Sequence, residues 1–384
     1  MNAMKNTIII LFGCYFVYLS QNVFPKSLSS ICFIFMFIIS LGYTLISFTN
    51  RTDSMTKRIC CFYLLNIVYY ILFHVFSVDN LDSALNTVKK ISLGLLFYYP
   101  FYYVGRQNVK LESIFNVFYL LFLIYSIFSF FTLKALLVDV YESEYTVNNI
   151  GYNFVLLLPM LLLVNKNVLI KLLLLSISVI FVVLSAKRGA LICLVGFVLV
   201  YCIYSNKMYS YFRRGKLLIF GVLLIAISVF FVVSQNNPYL LERFYDIEGS
   251  QSGRDIIRKE MLFHVKQHAD VGNIIWGFGF NATLNEVLRF AHNDWLEVLF
   301  DYGLVGLSVY VCMIWSFYKS TKKTNNLTIR YTIIAVLVCW VLQSVTTGVF
   351  TGIKCTLLTS VLGYCQGCIQ GECDKSDLWK KKKL

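Results

Sequence analysis

The stretch that decides the fold runs from residue 171 to residue 204 and reads KLLLLSISVIFVVLSAKRGALICLVGFVLVYCIY. It belongs to two apolar runs, near 168–186 and 189–205, that are joined by a short basic turn. An α-helix needs about 20 apolar residues to cross the roughly 30 Å hydrocarbon layer of a bilayer. Each run is therefore predicted to cross a membrane once as a helix.

Comparable apolar runs recur along the rest of the chain. They lie near 7–24, 28–48, 59–77, 90–105, 113–133, 149–164, 216–233, 297–318, 331–350 and 354–370. Hydrophobic residues make up 58% of the chain and charged residues only 14%, against roughly 25% charged in soluble domains. The alternating segments of about ten residues that mark a transmembrane β-barrel are not visible. The predicted fold is an all-α polytopic membrane protein with about twelve transmembrane helices.

The distribution of lysine and arginine predicts the orientation of these helices. Most of the 34 Lys and Arg residues lie in loops on one side of the predicted bundle, and short cytoplasmic loops carry such an excess. Both termini are therefore predicted to be cytoplasmic. The net charge of +14 is interpreted as this topology signal, together with a basic tail at residues 379–384 that suits anionic lipid. Nucleic acid is not an expected partner.

This orientation divides the chain into four segments. Residues 1–233 are predicted to hold nine membrane helices, residues 234–294 an external loop, residues 295–370 three more helices and residues 371–384 a basic cytoplasmic tail. The loop is long for a compact architecture, and such loops are usually functional or disordered. The loop and its borders are therefore the expected location of a functional site.

The external loop is predicted to contain a helix. Ser252 and Asp255 have the spacing of a capping box, and the helix that they would open can continue to about Gln267. Arg254 and Arg258 are four residues apart on it, so they share a face that suits phosphate oxygens. The alternative is an amphipathic helix that lies on the bilayer surface.

Two smaller motifs of the loop are interpreted as structural features. The sequence WGFGF at residues 276–280 is interpreted as a glycine-containing turn that packs the loop against the membrane. His264 and His268 have a spacing that can bind a metal ion. Because no third ligand is evident, a solvated helix face is favoured, and no metal is expected.

The segment AHNDWLEVLFDYGLVGL, residues 291–307, is the most informative in the chain. Asp294 and Glu297 have capping-box spacing, so His292 and Asn293 are predicted at or just before the start of the tenth membrane helix. The positive end of a helix dipole disfavours an imidazolium ion. His292 is thus predicted to be neutral and able to accept a proton.

The same segment carries acidic residues into the membrane. Asp294, Glu297 and Asp301 would share one helix face, and carboxylates within a membrane helix normally face protein or a watery cavity. Gly303 and Gly306 are predicted to allow close approach of a neighbouring helix. These residues are predicted to support the candidate site.

Arg188 is exceptional because it lies at the outer end of the seventh predicted helix, against the charge rule. A cation retained there suggests function, and the alternative is an arginine that extends to lipid headgroups. Arg188, Arg254, Arg258 and His292 are all predicted to project to one membrane face. Together they form a candidate site for a diphosphate leaving group and a base.

The spacing from His292-Asn293 to Gly303-x-x-Gly306 resembles the signature of the O-antigen ligase and O-antigen polymerase superfamily of bacterial envelope polysaccharide synthesis. The similarity extends to the SAKRG segment, to SGRDIIRKE at residues 252–260 and to WGFGF, in the order that this family shows. It covers residues 185–310 specifically, and the remainder of the chain through its predicted layout of about twelve spans.

The resemblance implies a metal-independent, GT-C-like glycosyltransferase of the bacterial inner membrane that acts at the periplasmic face without a cofactor. Its substrate would be an undecaprenyl-diphosphate-linked oligosaccharide. His292 corresponds to the proposed general base, and Arg188 and Arg254 match the arginines that would bind the diphosphate; Arg258 is added from helical spacing. The implied partners are this lipid-linked substrate, membrane lipid and, as an open alternative, a chain-length regulator protein.

Polymerase and ligase differ in their acceptors. A polymerase adds the growing chain to the next lipid-linked repeat, whereas a ligase transfers the chain to the lipid A core. Ligases commonly carry an acidic residue in a late span, and the corresponding residues 343–348, QSVTTG, have none. The interpretation therefore favours the polymerase, with the ligase as the alternative and a polysaccharide flippase as the rival from another class.

Overall fold

The computed structural model describes a chain that is almost entirely helical, and no strand occurs in the part that it describes. This confirms the predicted all-α fold. The described residues are 2–20, 24–49, 54–74, 81–141, 149–164, 168–208, 221, 228, 231, 235, 254–287, 290–352 and 355–381.

The chain divides into two compact units. The first comprises residues 1–110, 253–324 and 344–384, and the second comprises residues 111–252 and 325–343. The described helices of the first unit are α1 (Asn2–Leu19), α2 (Lys26–Thr49), α3 (Ser54–His74), α4 (Leu81–Leu96), α5 (Tyr98–Arg106), α10 (Arg254–His268), α11 (Val271–Trp276), α12 (Ala282–Val287), α13 (Asp294–Ser320) and α15 (Cys355–Lys381). The second unit contains α6 (Glu112–Tyr141), α7 (Gly151–Leu161), α8 (Val168–Leu184), α9 (Arg188–Met208) and most of α14 (Leu327–Thr346).

Seven of the described helices are long and apolar enough to cross a membrane, which confirms a polytopic membrane protein. They are α1, α2, α3, α6, α9, α13 and α14. Two further helices, α7 and α8, are apolar but shorter. Of the runs predicted from sequence, 90–105 is divided between α4 and α5. The run 216–233 lies outside the described residues except at positions 221, 228 and 231.

Helices α5 and α15 pack with their backbones in contact. A Cβ atom at Gly363 would overlap the carbonyl oxygen of Tyr98, and one at Gly367 would overlap that of Tyr102. At Gly371 the overlap would be with the carbonyl oxygen of Arg106, at 2.5 Å. The spacing of four residues on both helices repeats the same contact on successive turns, as small residues permit between close helices.

Helix α13 is held in the first unit by α3. The hydroxyl of Tyr302 donates to the side-chain oxygen of Asn66 at 2.7 Å, and the hydroxyl of Tyr69 donates to the carbonyl oxygen of Trp276 at the same distance. The ring of Phe62 lies 5.2 Å from that of Tyr310. These contacts support both α13 and the loop segment that packs on it.

The described part of the predicted external loop contains three helices, α10, α11 and α12. Helix α10 begins at Arg254 and ends at His268, close to the predicted bounds, while the expected cap Ser252 lies outside the described residues. A cluster of buried residues joins this segment to α13; it consists of Ile257, Met261, Ala282, Ala291 and Phe300. The helices of the loop are thus packed against the start of the membrane helix.

Candidate functional site

His292 is exposed on the turn that precedes α13. Its backbone has a φ of +51°, in the left-handed region that side-chain-bearing residues seldom adopt. The backbone N–H of His292 donates to Oε1 of Glu297 at 3.0 Å. Glu297 is only 3% exposed, so this acceptor is fixed inside the protein. The contact stabilises an unusual backbone that presents the imidazole outward.

Asn293 is the N-cap of α13, because its side-chain oxygen accepts hydrogen bonds from the backbone N–H groups of Trp295 at 3.0 Å and Leu296 at 3.2 Å. The prediction that His292 and Asn293 lie at or just before the start of the helix is confirmed, because α13 begins at Asp294. The predicted capping box is wrong by one position, however, since the capping side chain is Asn293 rather than Asp294. The physical reason is that Asp294 is engaged elsewhere.

The carboxylate of Asp294 is fully buried and binds a segment more than fifty residues away. Its oxygens accept hydrogen bonds from the backbone N–H of Val349 at 2.8 and 3.0 Å and from that of Phe350 at 3.4 Å. The amide of Asn293 donates to the carbonyl oxygen of Val345 at 3.3 Å. Residues 345–350 are therefore held against the start of α13.

Asp301 performs a similar role on the loop side. Its Oδ1 accepts hydrogen bonds from the backbone N–H and the hydroxyl of Thr283, at 3.0 and 2.9 Å. Asp294, Glu297 and Asp301 are all buried. Of the two environments that the sequence left open, protein or a watery cavity, these three carboxylates have the first, and each accepts a hydrogen bond from a different part of the backbone.

Helix α13 is kinked at Gly303, whose φ is +62°. The WGFGF turn crosses α13 there. The N–H of Phe278 donates to the carbonyl oxygen of Phe300 at 2.9 Å, and the N–H of Gly279 donates to the backbone carbonyl oxygen of Asp301 at 3.0 Å. A Cβ at Gly303 would lie 2.5 Å from the backbone nitrogen of Gly277. The turn thus packs on α13, one of the helices that are long and apolar enough to cross a membrane.

The predicted close approach of a neighbouring helix is found at Gly303. A Cβ there would lie 2.4 Å from the carbonyl oxygen of Ile275, in α11, whereas a Cβ at Gly306 would overlap the Cβ of Tyr302 in the same helix. The kink explains both findings, because it breaks the regular helix between Tyr302 and Gly306.

The three candidate arginines lie on two helices. Arg258 is exposed on α10, and Arg254 is the first residue of that helix. Arg188 is the half-buried first residue of α9, in the second unit. The structure brings Arg258 and His292 into one unit, and the gathering of Arg188 with them stays a prediction.

Local contacts hold the turn that precedes Arg188. Ala186 has a φ of +51°, and the hydroxyl of Ser185 accepts a hydrogen bond from the N–H of Lys187 at 3.3 Å. A Cβ at Gly151 would overlap Ser185, so α7 packs tightly on this turn. The ammonium of Lys187 lies 5.9 Å from the ring centre of Tyr152, within cation–π range.

The histidines of α10 are close to each other. The ring centres of His264 and His268 are 4.7 Å apart, and Nε2 of His264 is 4.0 Å from Oε2 of Glu286. Within the described part of the chain, no group of three His, Cys, Asp or Glu residues is arranged to hold a metal ion. The spacing of the two histidines in the sequence could not indicate Glu286, because this residue lies on a different helix, α12.

Residues 173–311 match the O-antigen ligase family. The matched segment runs from α8 through α9 and α10–α12 into α13, and it contains the kink and all the predicted site residues. The predicted resemblance to the O-antigen ligase and polymerase superfamily is thereby confirmed. A comparison with curated protein sequences gave no match.

Proposed function

From the match of residues 173–311 to the O-antigen ligase family, we propose that this chain is a polysaccharide polymerase of the inner membrane. It transfers an oligosaccharide from undecaprenyl diphosphate to a hydroxyl of a second lipid-linked sugar at the periplasmic face. The observation that carries the proposal is the exposed His292, on a strained turn fixed by the buried Glu297. Strained backbone often occurs at functional sites.

The proposed reaction needs a base and a binding site for an anion. The imidazole of His292 removes the proton of the acceptor hydroxyl, whose oxygen attacks the anomeric carbon of the donor sugar. The bond from that carbon to the diphosphate oxygen breaks, and the lipid diphosphate leaves as an anion. Arg188, Arg254 and Arg258 bind its oxygens and stabilise the charge that develops. The proton remains on His292 until solvent removes it.

The polymerase is proposed over the ligase because of residues 343–348. This QSVTTG segment lacks the acidic residue that ligases commonly carry in a late span. The same part of the chain borders the candidate site, since Val345 accepts a hydrogen bond from Asn293. A ligase remains the second candidate, supported by the description of the matched family. Nothing in that match supports a flippase.

The decisive experiment is deletion of the gene in its lipopolysaccharide-producing host, followed by rescue with wild type or His292→Ala. Loss of a polymerase leaves a single repeat on the core, whereas loss of a ligase leaves bare core and long chains on the lipid carrier. We expect His292→Ala to behave like the deletion. The matched control is His268→Ala, an exposed histidine of α10, which should restore the wild-type pattern. An unchanged banding pattern in the deletion strain would reject both functions.

A further inference from the structure

A polar pocket of about 450 Å³ lies where the end of α5 meets the last turns of α15. Three residues at the end of α5 and three of α15 face each other across it: Tyr103, Arg106 and Asn108, and Gly371, Asp374 and Lys375. All six belong to the first unit. They also lie outside residues 173–311, the segment that matches the family, so the pocket is separate from the candidate site.

The wall on the α5 side is a helix end that Asn108 closes. Its backbone has a φ of +55°, which asparagine tolerates better than most residues, and its N–H donates to the carbonyl oxygen of Gly105 at 2.8 Å. The side-chain amide of Asn108 donates to the carbonyl oxygen of Arg106 at 3.3 Å. A Cβ at Gly371 would lie 2.9 Å from that amide nitrogen. Backbone contacts thus fix the amide at the pocket.

The charges of the pocket leave hydrogen-bond donors available. Nε of Arg106 donates to Oδ2 of Asp374 at 2.8 Å, and the amide of Gln370 donates to Oδ1 of Asp374, also at 2.8 Å. Both oxygens of the carboxylate are therefore engaged. A guanidinium has five N–H donors, and four of them are on the terminal nitrogens, which this contact does not use. Lys375 is exposed and adds a second cation, so the pocket suits an anion.

The pocket lies at the opposite end of the first unit from His292. The hydroxyl of Thr324, which follows α13, donates to Oε2 of Glu372 at 3.2 Å, so the end of α13 lies beside this part of α15. His292 precedes the start of α13, which is 27 residues long. This end of α13 and the segment after α5 carry further cations: Lys110, Lys319, Lys322 and Lys323. The positive charge agrees with the predicted cytoplasmic end of the bundle.

An exposed apolar helix face lies next to the pocket. The ring of Tyr103 is 5.3 Å from that of Tyr43 in α2. A few residues further along α2, Leu45 is 60% exposed and Phe48 is 48% exposed. Tyrosine rings suit the boundary between apolar and aqueous surroundings. A cationic pocket beside such a face complements an amphiphile with an anionic head.

We propose that this pocket binds a phosphate group at the end of the protein opposite to His292. The terminal nitrogens of Arg106 and the ammonium of Lys375 bind the phosphate oxygens, and the amide of Asn108 is a third donor. The adjoining apolar face of α2 favours the headgroup of an anionic phospholipid, whose acyl chains would lie along that helix. A soluble phosphate ester has the same anionic group and is the alternative source. The site is independent of the proposed transfer reaction.

The test measures the thermal midpoint of the full chain in a neutral detergent while phosphatidylglycerol, phosphatidylcholine or glycerol 3-phosphate is added. A ligand that binds the folded state raises the midpoint, and its concentration dependence gives an apparent affinity. We expect phosphatidylglycerol to raise the midpoint of wild type and phosphatidylcholine, whose headgroup has no net charge, to leave it unchanged. Lys375→Glu should weaken the apparent affinity for phosphatidylglycerol at least about tenfold.

A second variant and a control address folding and general charge effects. Arg106→Gln combined with Asp374→Asn removes both members of the ion pair, so it leaves no unpaired carboxylate, and it should weaken binding by a similar factor. Lys319→Glu makes the same charge change as Lys375→Glu on an exposed lysine outside the lining, and it should keep the wild-type affinity.

The outcomes distinguish the two sources of phosphate. A response to phosphatidylglycerol alone that Lys375→Glu weakens supports a lipid headgroup. An equal response to glycerol 3-phosphate that Lys375→Glu also weakens supports a soluble phosphate ester at the same pocket. Equal weakening by Lys375→Glu and Lys319→Glu would overturn the proposal, because it would show attraction by diffuse charge. Absence of a wild-type response to both anionic ligands would overturn it as well.

Discussion

His292 combines an exposed imidazole with a backbone conformation that glycine would adopt more easily. The buried Glu297 offsets this strain by accepting the N–H of His292. A base at the start of a helix must be held in one geometry to act, and a shift of about 1 Å can reduce a rate about 100-fold. Glu297 is therefore expected to act as a positioning residue.

Replacement of Glu297 tests this role. We expect Glu297→Ala to reduce kcat about 100-fold and the free energy of unfolding by about 1–3 kcal/mol, because the partly buried N–H of His292 loses its charged acceptor. Glu297→Gln retains a carbonyl oxygen and should keep most of the activity. Steady-state transfer assays and thermal unfolding in detergent measure the two effects. Equal losses in both variants would contradict a role in positioning.

His292→Gly separates stability from activity at the same position. Glycine adopts the left-handed backbone without strain, although it also increases the entropy of the unfolded chain. We expect stability within about 1 kcal/mol of wild type and a loss of kcat of at least about 100-fold, because the base is absent. A folded His292→Gly protein with wild-type transfer would show that His292 is not the base.

At the scale of the elements, the kink in α13 depends on Gly303. Any side chain there must adopt a φ of +62° and would also collide with the WGFGF turn. We expect Gly303→Ala to destabilise the protein by at least about 2 kcal/mol and to reduce transfer, since the N–H of Gly279 in that turn donates to the carbonyl oxygen of Asp301. Gly42→Ala in α2 is the control, because a Cβ at Gly42 has no neighbour within 4 Å. Equal thermal midpoints for the two variants would contradict this account.

The close backbone contact between α5 and α15 gives a second prediction at the scale of the elements. Gly367→Leu would force the two backbones apart at Tyr102, where even a Cβ overlaps the carbonyl oxygen. Overpacking of this kind usually costs about 1–3 kcal/mol, so a lower thermal midpoint in detergent is expected. Gly13→Leu in α1, where a Cβ has open space, should be tolerated. If the two variants had the same thermal midpoint, the contact between α5 and α15 would not be a determinant of stability.

At the scale of the whole molecule, the lysine and arginine distribution predicts which end of the bundle faces the cytoplasm. A green fluorescent protein fused to the C-terminus should fluoresce, because it folds in the cytoplasm. Alkaline phosphatase inserted after Gln267 should be active, because it folds only outside the cytoplasm. The matched control is phosphatase fused after Arg330, which is predicted to be inactive. The opposite pattern would place the loop, and His292, in the cytoplasm.

The amino-acid sequence by itself determined the fold class, the bounds of α10 and the start of α13. These follow from apolar run length, helical spacing and capping residues, which act over neighbouring positions. It also placed His292 just before the first residue of α13, because a polar cluster interrupts the sequence at the border of an apolar run.

Only the tertiary structure decided what the other site residues contact. Asp294 was predicted as part of a cap, yet it binds the backbone at Val349 and Phe350. Gly303 was predicted to allow close approach of a helix, and the structure identifies the partner as the end of α11, at Ile275, with Gly277 beside it. Residues of α10 and α13 likewise line one apolar groove. Such contacts join residues far apart in the chain, and their free energy depends on how whole elements pack rather than on any local pattern.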